Sequence, residues 1–73
     1  MPRPLTPEDL TPELRGALVR YNGGFEPEYG LVTEVLPETQ EVRVNYHLGS
    51  TSAKTYMKDL SLMVPPLGPR DVG

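Results

Sequence analysis

The chain has 73 residues, seven basic and ten acidic side chains for a net charge of -3, and no cysteine. Self-sufficient domains begin at ~55 to 65 residues, so these residues hold one small domain with a thin core. Without cysteine there is no disulfide framework and no thiolate metal site, the lone His47 cannot build a zinc cluster, and the acidic balance runs against the footprint of a phosphate-binding domain.

Prolines crowd both ends, at positions 2, 4, 7 and 12 and again at 65, 66 and 69. Proline lacks a donor and restricts the residue before it, so neither end is expected to carry a continuous ladder or a long helix. Residues 1–15 read as a Pro-rich N-terminal arm, residues 16–64 as a barrel and residues 65–73 as a Pro-rich C-terminal tail. Within the first arm, Thr6-Pro7-Glu8-Asp9 and Thr11-Pro12-Glu13 each place a capping threonine before a proline at the first helical position, with acids in the first turn. One or two single helical turns pinned by Leu5, Leu10 and Leu14 are expected.

From Gly16 to Val64 short runs rich in Val, Tyr, Thr and Leu alternate with turn residues, the pattern of strands. Five are predicted: Ala17 to Tyr21, Tyr29 to Leu36, Glu41 to His47, Ser52 to Met57 and Ser61 to Val64. Asn22-Gly23-Gly24 opens the first connection, Pro37-Glu38-Thr39-Gln40 suits a type I turn with proline at its second position, and Leu48-Gly49-Ser50-Thr51 suits a tight loop. Lys58-Asp59-Leu60 is too short for a hairpin and suits one 3₁₀ turn.

Alternation in the third strand puts Val42, Val44 and Tyr46 on one face and Arg43, Asn45 and His47 on the other. Val19 and Tyr21, then Val32 and Val35, and finally Leu60, Leu62 and Val64 complete the predicted core. Val32 and Val35 are three apart, so both face inward only if a bulge lies between them.

Five short strands, a long first connection and one turn between the last two strands resemble the SH3-like small barrels, the group that includes Tudor and KOW modules. The stretch from Gly16 to Val35, with Gly16, Gly24, Phe25 and Gly30 at its marked places, resembles a KOW motif, and Val42-Arg43-Val44-Asn45-Tyr46 with the Met57 to Val64 ending follows the order of NusG-type elongation factors. The single-barrel form also resembles small bacteriophage proteins. The expected fold class is therefore all-β, a five-stranded SH3-like barrel with Pro-rich arms.

No nucleophile with a base in a recognisable motif is present, and Gly23-Gly24 precedes no helix that would cradle a phosphate, so neither an enzyme, a cofactor nor a small-molecule substrate is expected. No apolar run reaches the ~18 residues of a membrane span or the core of a signal peptide, so a cytoplasmic location without a membrane partner is expected.

Three surface features remain. Glu26, Glu28, Glu34, Glu38 and Glu41 lie in a stretch without Lys or Arg, suggesting a negative face for a basic partner. Phe25 and Tyr29 flank the first connection, while Tyr21, Tyr46 and Tyr56 lie on strands; the Tudor resemblance implies that such aromatics can cage a methylated cation. With Glu26 and Glu28, Phe25 and Tyr29 form the candidate protein-binding set. Arg20, Arg43, Lys54, Tyr56 and Lys58, with Asn45 and His47 nearby, form a candidate nucleic-acid face on which Tyr56 would stack on a base. The expected function is non-enzymatic binding of a protein, or self-association through strand edges and arms anchored by Leu5, Leu10 and Leu67. The alternative is a nucleic-acid-binding KOW-like module in transcription or translation.

Overall fold

The computed structural model describes residues 3–46 and 52–66. His47, the Leu48 to Thr51 turn and Leu67 lie outside the described residues. Among the described residues six strands are formed: β1 (Arg3–Pro4), β2 (Leu18–Tyr21), β3 (Glu28–Leu36), β4 (Glu41–Tyr46), β5 (Ala53–Tyr56) and β6 (Leu60–Val64). They make one antiparallel sheet in the order β1-β6-β2-β3-β4-β5, which does not close on itself. The described residues are thus all-β, broken only by three 3₁₀ turns at Pro7–Asp9, Pro12–Leu14 and Met57–Asp59. No helix among them is long and apolar enough to cross a membrane.

The strand count is six rather than five, because the N-terminal segment supplies β1. Arg3 pairs with Leu62 and Pro4 with Ser61, and the Leu5 N–H then donates to the Leu60 carbonyl at 3.2 Å. A proline is tolerated there because β1 lies at the sheet edge, where a missing donor breaks no ladder on its outer side. The same segment fills the core, with Leu5, Leu10 and Leu14 each buried beside Val19, Val32, Val42, Val44, Leu60 and Leu62. Its two 3₁₀ turns start where the threonine-proline pairs lie. Thr6 and Thr11 sit at the N-cap positions as expected, and at Thr6 the N–H and hydroxyl both donate to Asp9 Oδ2, at 2.8 and 3.1 Å. The Arg3 guanidinium grips the same carboxylate with two bonds of 2.8 Å, and this fork, more than the Thr6 bonds, holds the Asp9 carboxyl far below its ordinary value.

The register shift in β3 falls between Val32 and Glu34, where the Val32 to Val35 spacing requires it, and Val35 packs on the core beyond it. A second shift, in the β2–β6 pairing, corrects one inward assignment. Leu18 pairs with Val64 but Val19 pairs with Leu62, so one extra residue of β6 resets the alternation and Val64 is left 48% exposed. Ala17, in step with Val19 and Tyr21 but not named among the predicted core residues, is fully buried just before β2. The turn after β3 is also shifted by one: the Gln40 N–H donates to the Pro37 carbonyl at 3.2 Å, making Pro37 the first turn residue rather than the second. Gln40 closes it in the left-handed region, with φ of 59°.

Two glycines answer steric demands. Gly16 leads into β2 at a φ of +92°, a backbone that side chains rarely adopt. Gly30 pairs with Tyr46, and a Cβ there would lie 2.6 Å from Val44 Cγ1 and 2.7 Å from the Asn45 carbonyl oxygen. That close approach brings the ends of β3 and β4 together and positions Tyr46.

Candidate functional site

Tyr21 ends β2 and Tyr46 ends β4, both on the core face and both half-buried. Tyrosine suits such a place, since the ring packs on the core while the hydroxyl stays within reach of a polar partner. Because β3 lies between β2 and β4, the two rings meet edge to face across it, with centroids 6.3 Å apart and planes at 68°. The Tyr46 hydroxyl hydrogen-bonds Thr55 Oγ1 at 3.0 Å, which joins the pair to β5. Together they bound a cleft of about 360 Å³, lined also by Glu28, Tyr56 and Asp59 and by the β5 residues Ala53 and Lys54.

The cleft is held in shape by the connection before it. The Asn22 N–H donates to the Asp59 carbonyl at 2.9 Å, its Nδ2 donates to Ser61 Oγ at 2.9 Å, and its Oδ1 accepts from Arg20 Nε at 2.8 Å. One asparagine thus ties the end of β2 to the Met57–Asp59 turn and to β6.

Burial pushes the Tyr46 phenol above its ordinary value, partly countered by the Thr55 bond, and the negative charges of Glu28 and Asp59 push it further up. Both carboxylates also line the cleft. Among the described residues the ion pairs are Arg3 with Asp9 and Arg43 with Glu34, so neither Glu28 nor Asp59 is in an ion pair, and Lys54 is the one basic residue against these two carboxylates in the cleft lining. An aromatic wall, a hydrogen-bonding hydroxyl pair and two carboxylates suit a cationic side chain better than an anion or an apolar ligand.

The four residues of the candidate protein-binding set separate. Glu28 lines the cleft, Phe25, fully exposed, and Glu26, also exposed, stand in the connection between β2 and β3, and Tyr29 lies on the opposite face, paired with Arg20. The acidic run divides as well: Glu34 lies 3.2 Å from Arg43, while Glu38 and Glu41 border a separate depression of about 370 Å³ beside Pro37. Of the basic set, Arg43 and Lys54 are directly paired on the outer face, and Lys58 Nζ lies 6.0 Å from the Tyr56 ring centroid. Arg20, held by Asn22, is two strands away from Arg43.

Sequence reasoning placed Tyr21 and Tyr46 in the core and did not single out Thr55 or Asp59. The missing signal was the strand order, which unites the ends of β2 and β4 with the turn after β5. On the outer face, Val64, Leu18 and Leu31 form an apolar row across β6, β2 and β3, with Leu31 51% exposed. No family model matches this chain, and searches of curated proteins and of solved structures also found no match.

Proposed function

We propose that the chain is a non-enzymatic SH3-like barrel that binds another protein, taking a basic segment of that partner in the Tyr21–Tyr46 cleft. Support for the barrel reading comes from the order β6-β2-β3-β4-β5 and the single 3₁₀ turn that links β5 to β6, as the resemblance to SH3-like modules implies. The observation that carries the binding reading is the cleft itself, where Glu28 and Asp59 stand beside two tyrosine rings and no described basic side chain pairs with either. A lysine or arginine placed there gains Coulomb attraction and a ring face at once.

The KOW-like alternative rests on the adjacent Arg43 and Lys54. Glu34 already pairs with Arg43, so that face offers a phosphate backbone little net charge. The test is a titration of protein carrying ¹³C-labelled tyrosine with the peptide acetyl-AKAKA-amide and, separately, with mixed-sequence single-stranded RNA at low salt. Shifts of the Tyr21 and Tyr46 rings with the peptide, lost in Glu28→Gln/Asp59→Asn, are expected. A response to RNA alone, centred on Lys54 and Tyr56 and falling steeply with salt, would overturn the protein-binding reading.

A further inference from the structure

The sheet has two ends, and they differ. At one end β1 is two residues long and contains a proline, which has no N–H to offer a further strand. At the other end β5 runs for four residues and, among the described residues, has β4 as its one neighbour in the sheet. The Met57 N–H donates to the Gln40 carbonyl at 2.9 Å, on the β4 side. Main-chain groups alternate sides along an antiparallel strand, so Thr55 and Ala53 also turn theirs toward β4, and those of Lys54 and Tyr56 point away from the sheet. The cleft is lined by Ala53, Lys54, Thr55 and Tyr56, so the whole of this edge strand borders it.

We infer that the partner's basic segment binds as an added strand on the open edge of β5, delivering a lysine or arginine from that strand into the cleft between Tyr46, Glu28 and Asp59. This rests on the proposed protein-binding reading and names its mode. In such a pairing, side chains that neighbour Thr55 across the new ladder share its face, the face of the Tyr46 hydroxyl. Every second residue of the partner strand therefore lies on the cleft side of the sheet, where one of them can reach the two carboxylates. The charge complementarity selects a basic occupant, and the Lys54 and Tyr56 main-chain groups, turned away from β4, select an extended one.

The experiment compares acetyl-AKAKA-amide with the same peptide carrying methyl groups on alternate main-chain amides, by NMR titration and amide hydrogen exchange of the protein. The expected result is binding of the first peptide with slowed exchange at Lys54 and Tyr56, and weakening by about tenfold or more in the methylated form that cannot donate to β5. Lys54→Pro weakens binding where Lys54→Ala does not, since only proline removes the edge N–H. Equal affinity of both peptides for the wild-type protein, with the tyrosine rings still shifting, would overturn strand addition and leave the cleft reading standing. No binding of either would overturn both.

Discussion

Replacing Gly30 with alanine tests how closely β3 and β4 must approach beneath the cleft. The added methyl would sit 2.6 Å from Val44 Cγ1 and 2.7 Å from the Asn45 carbonyl oxygen, about 1 Å inside the ~3.5 to 4.0 Å separation of comfortable contact. Val44 is fully buried and the other obstacle is main chain, so neither moves aside cheaply. Overpacking of this kind costs about 1 to 3 kcal/mol, and the main-chain clash places Gly30→Ala toward the top of that range. At 0.05 to 0.15 kcal/mol per residue, a chain of this size holds only about 4 to 11 kcal/mol in all. A domain this small loses about 4 to 8 °C of melting temperature per kcal/mol, so a fall of about 10 to 20 °C is expected in a thermal scan followed by circular dichroism. Gly16→Ala is the comparison, because its φ of +92° is unfavourable while no atom lies within 4 Å of the added carbon. It should cost about 1 kcal/mol, from backbone strain alone. A Gly30→Ala midpoint lowered by no more than that of Gly16→Ala would refute the close-approach reasoning. The consequence would reach the site as well, since Gly30 is the strand partner of Tyr46.

Three further perturbations address other parts of the fold. Leu10→Ala removes a side chain only 6% exposed from the shared core and should cost about 2 to 5 kcal/mol in urea unfolding; an unchanged midpoint would show that the N-terminal segment is not part of the cooperative unit. The Arg3 fork lowers the folded-state value of Asp9, so its contribution is fully present above the unfolded carboxyl value of ~3.9 and is lost as pH falls below it. Asp9→Asn should therefore flatten the decline in urea midpoint between pH 5 and pH 2, with a loss of below about 1 kcal/mol at neutral pH because the Arg3 side chain is 49% exposed; an unaltered acid profile would remove the fork from the account. Tyr46 is raised by burial, which favours the neutral phenol in the folded state, so its stabilising contribution is present below the unfolded value of ~10 and is lost as pH rises through the folded one. Tyr46→Phe should make that alkaline decline shallower while costing about 0.5 to 1.5 kcal/mol at neutral pH for the lost Thr55 bond, and an equally steep decline in the variant would point to another group.

How far the fold could be read from the chain depended on whether the cause was local. The alternation of Val42, Val44 and Tyr46 places β4 and its faces, and the three-residue spacing of Val32 and Val35 demands the bulge found in β3, because side-chain direction along a strand has a fixed period. The leucines at positions 5, 10 and 14 are recognisable as anchors between prolines. β1 leaves no periodic trace, since two residues cannot show a period and one of them is proline. Val64 was misplaced for a different reason: the extra residue in β6 belongs to its pairing with β2, and nothing within the segment from Leu60 to Val64 announces it. The site follows the same rule. Glu28 and Tyr29 are neighbours in sequence, yet strand alternation sends them to opposite faces. Tyr21, Tyr46 and Asp59 are far apart in sequence and converge only once the order β6-β2-β3-β4-β5 is known.

The inequality of the two sheet edges also bears on what the open one can accept. An exposed edge invites pairing with any strand, including the same strand of another copy, and lysine is a common guard against this. Lys54 and Arg43 are paired on the outer face of β5 and β4. Two copies joined through β5 would bring both such pairs together on one surface, where facing like charges are destabilising. A foreign strand escapes that penalty if its residues alternate, basic toward Glu28 and Asp59 and acidic toward Lys54. Acetyl-EKEKE-amide should therefore bind more tightly than acetyl-AKAKA-amide despite its overall negative charge, which works against attraction to an acidic protein. Block peptides of the same composition, with the acids and lysines segregated, should lose that gain. The charge pattern across the two faces of the edge, rather than the net charge of the chain, then decides which strand is admitted.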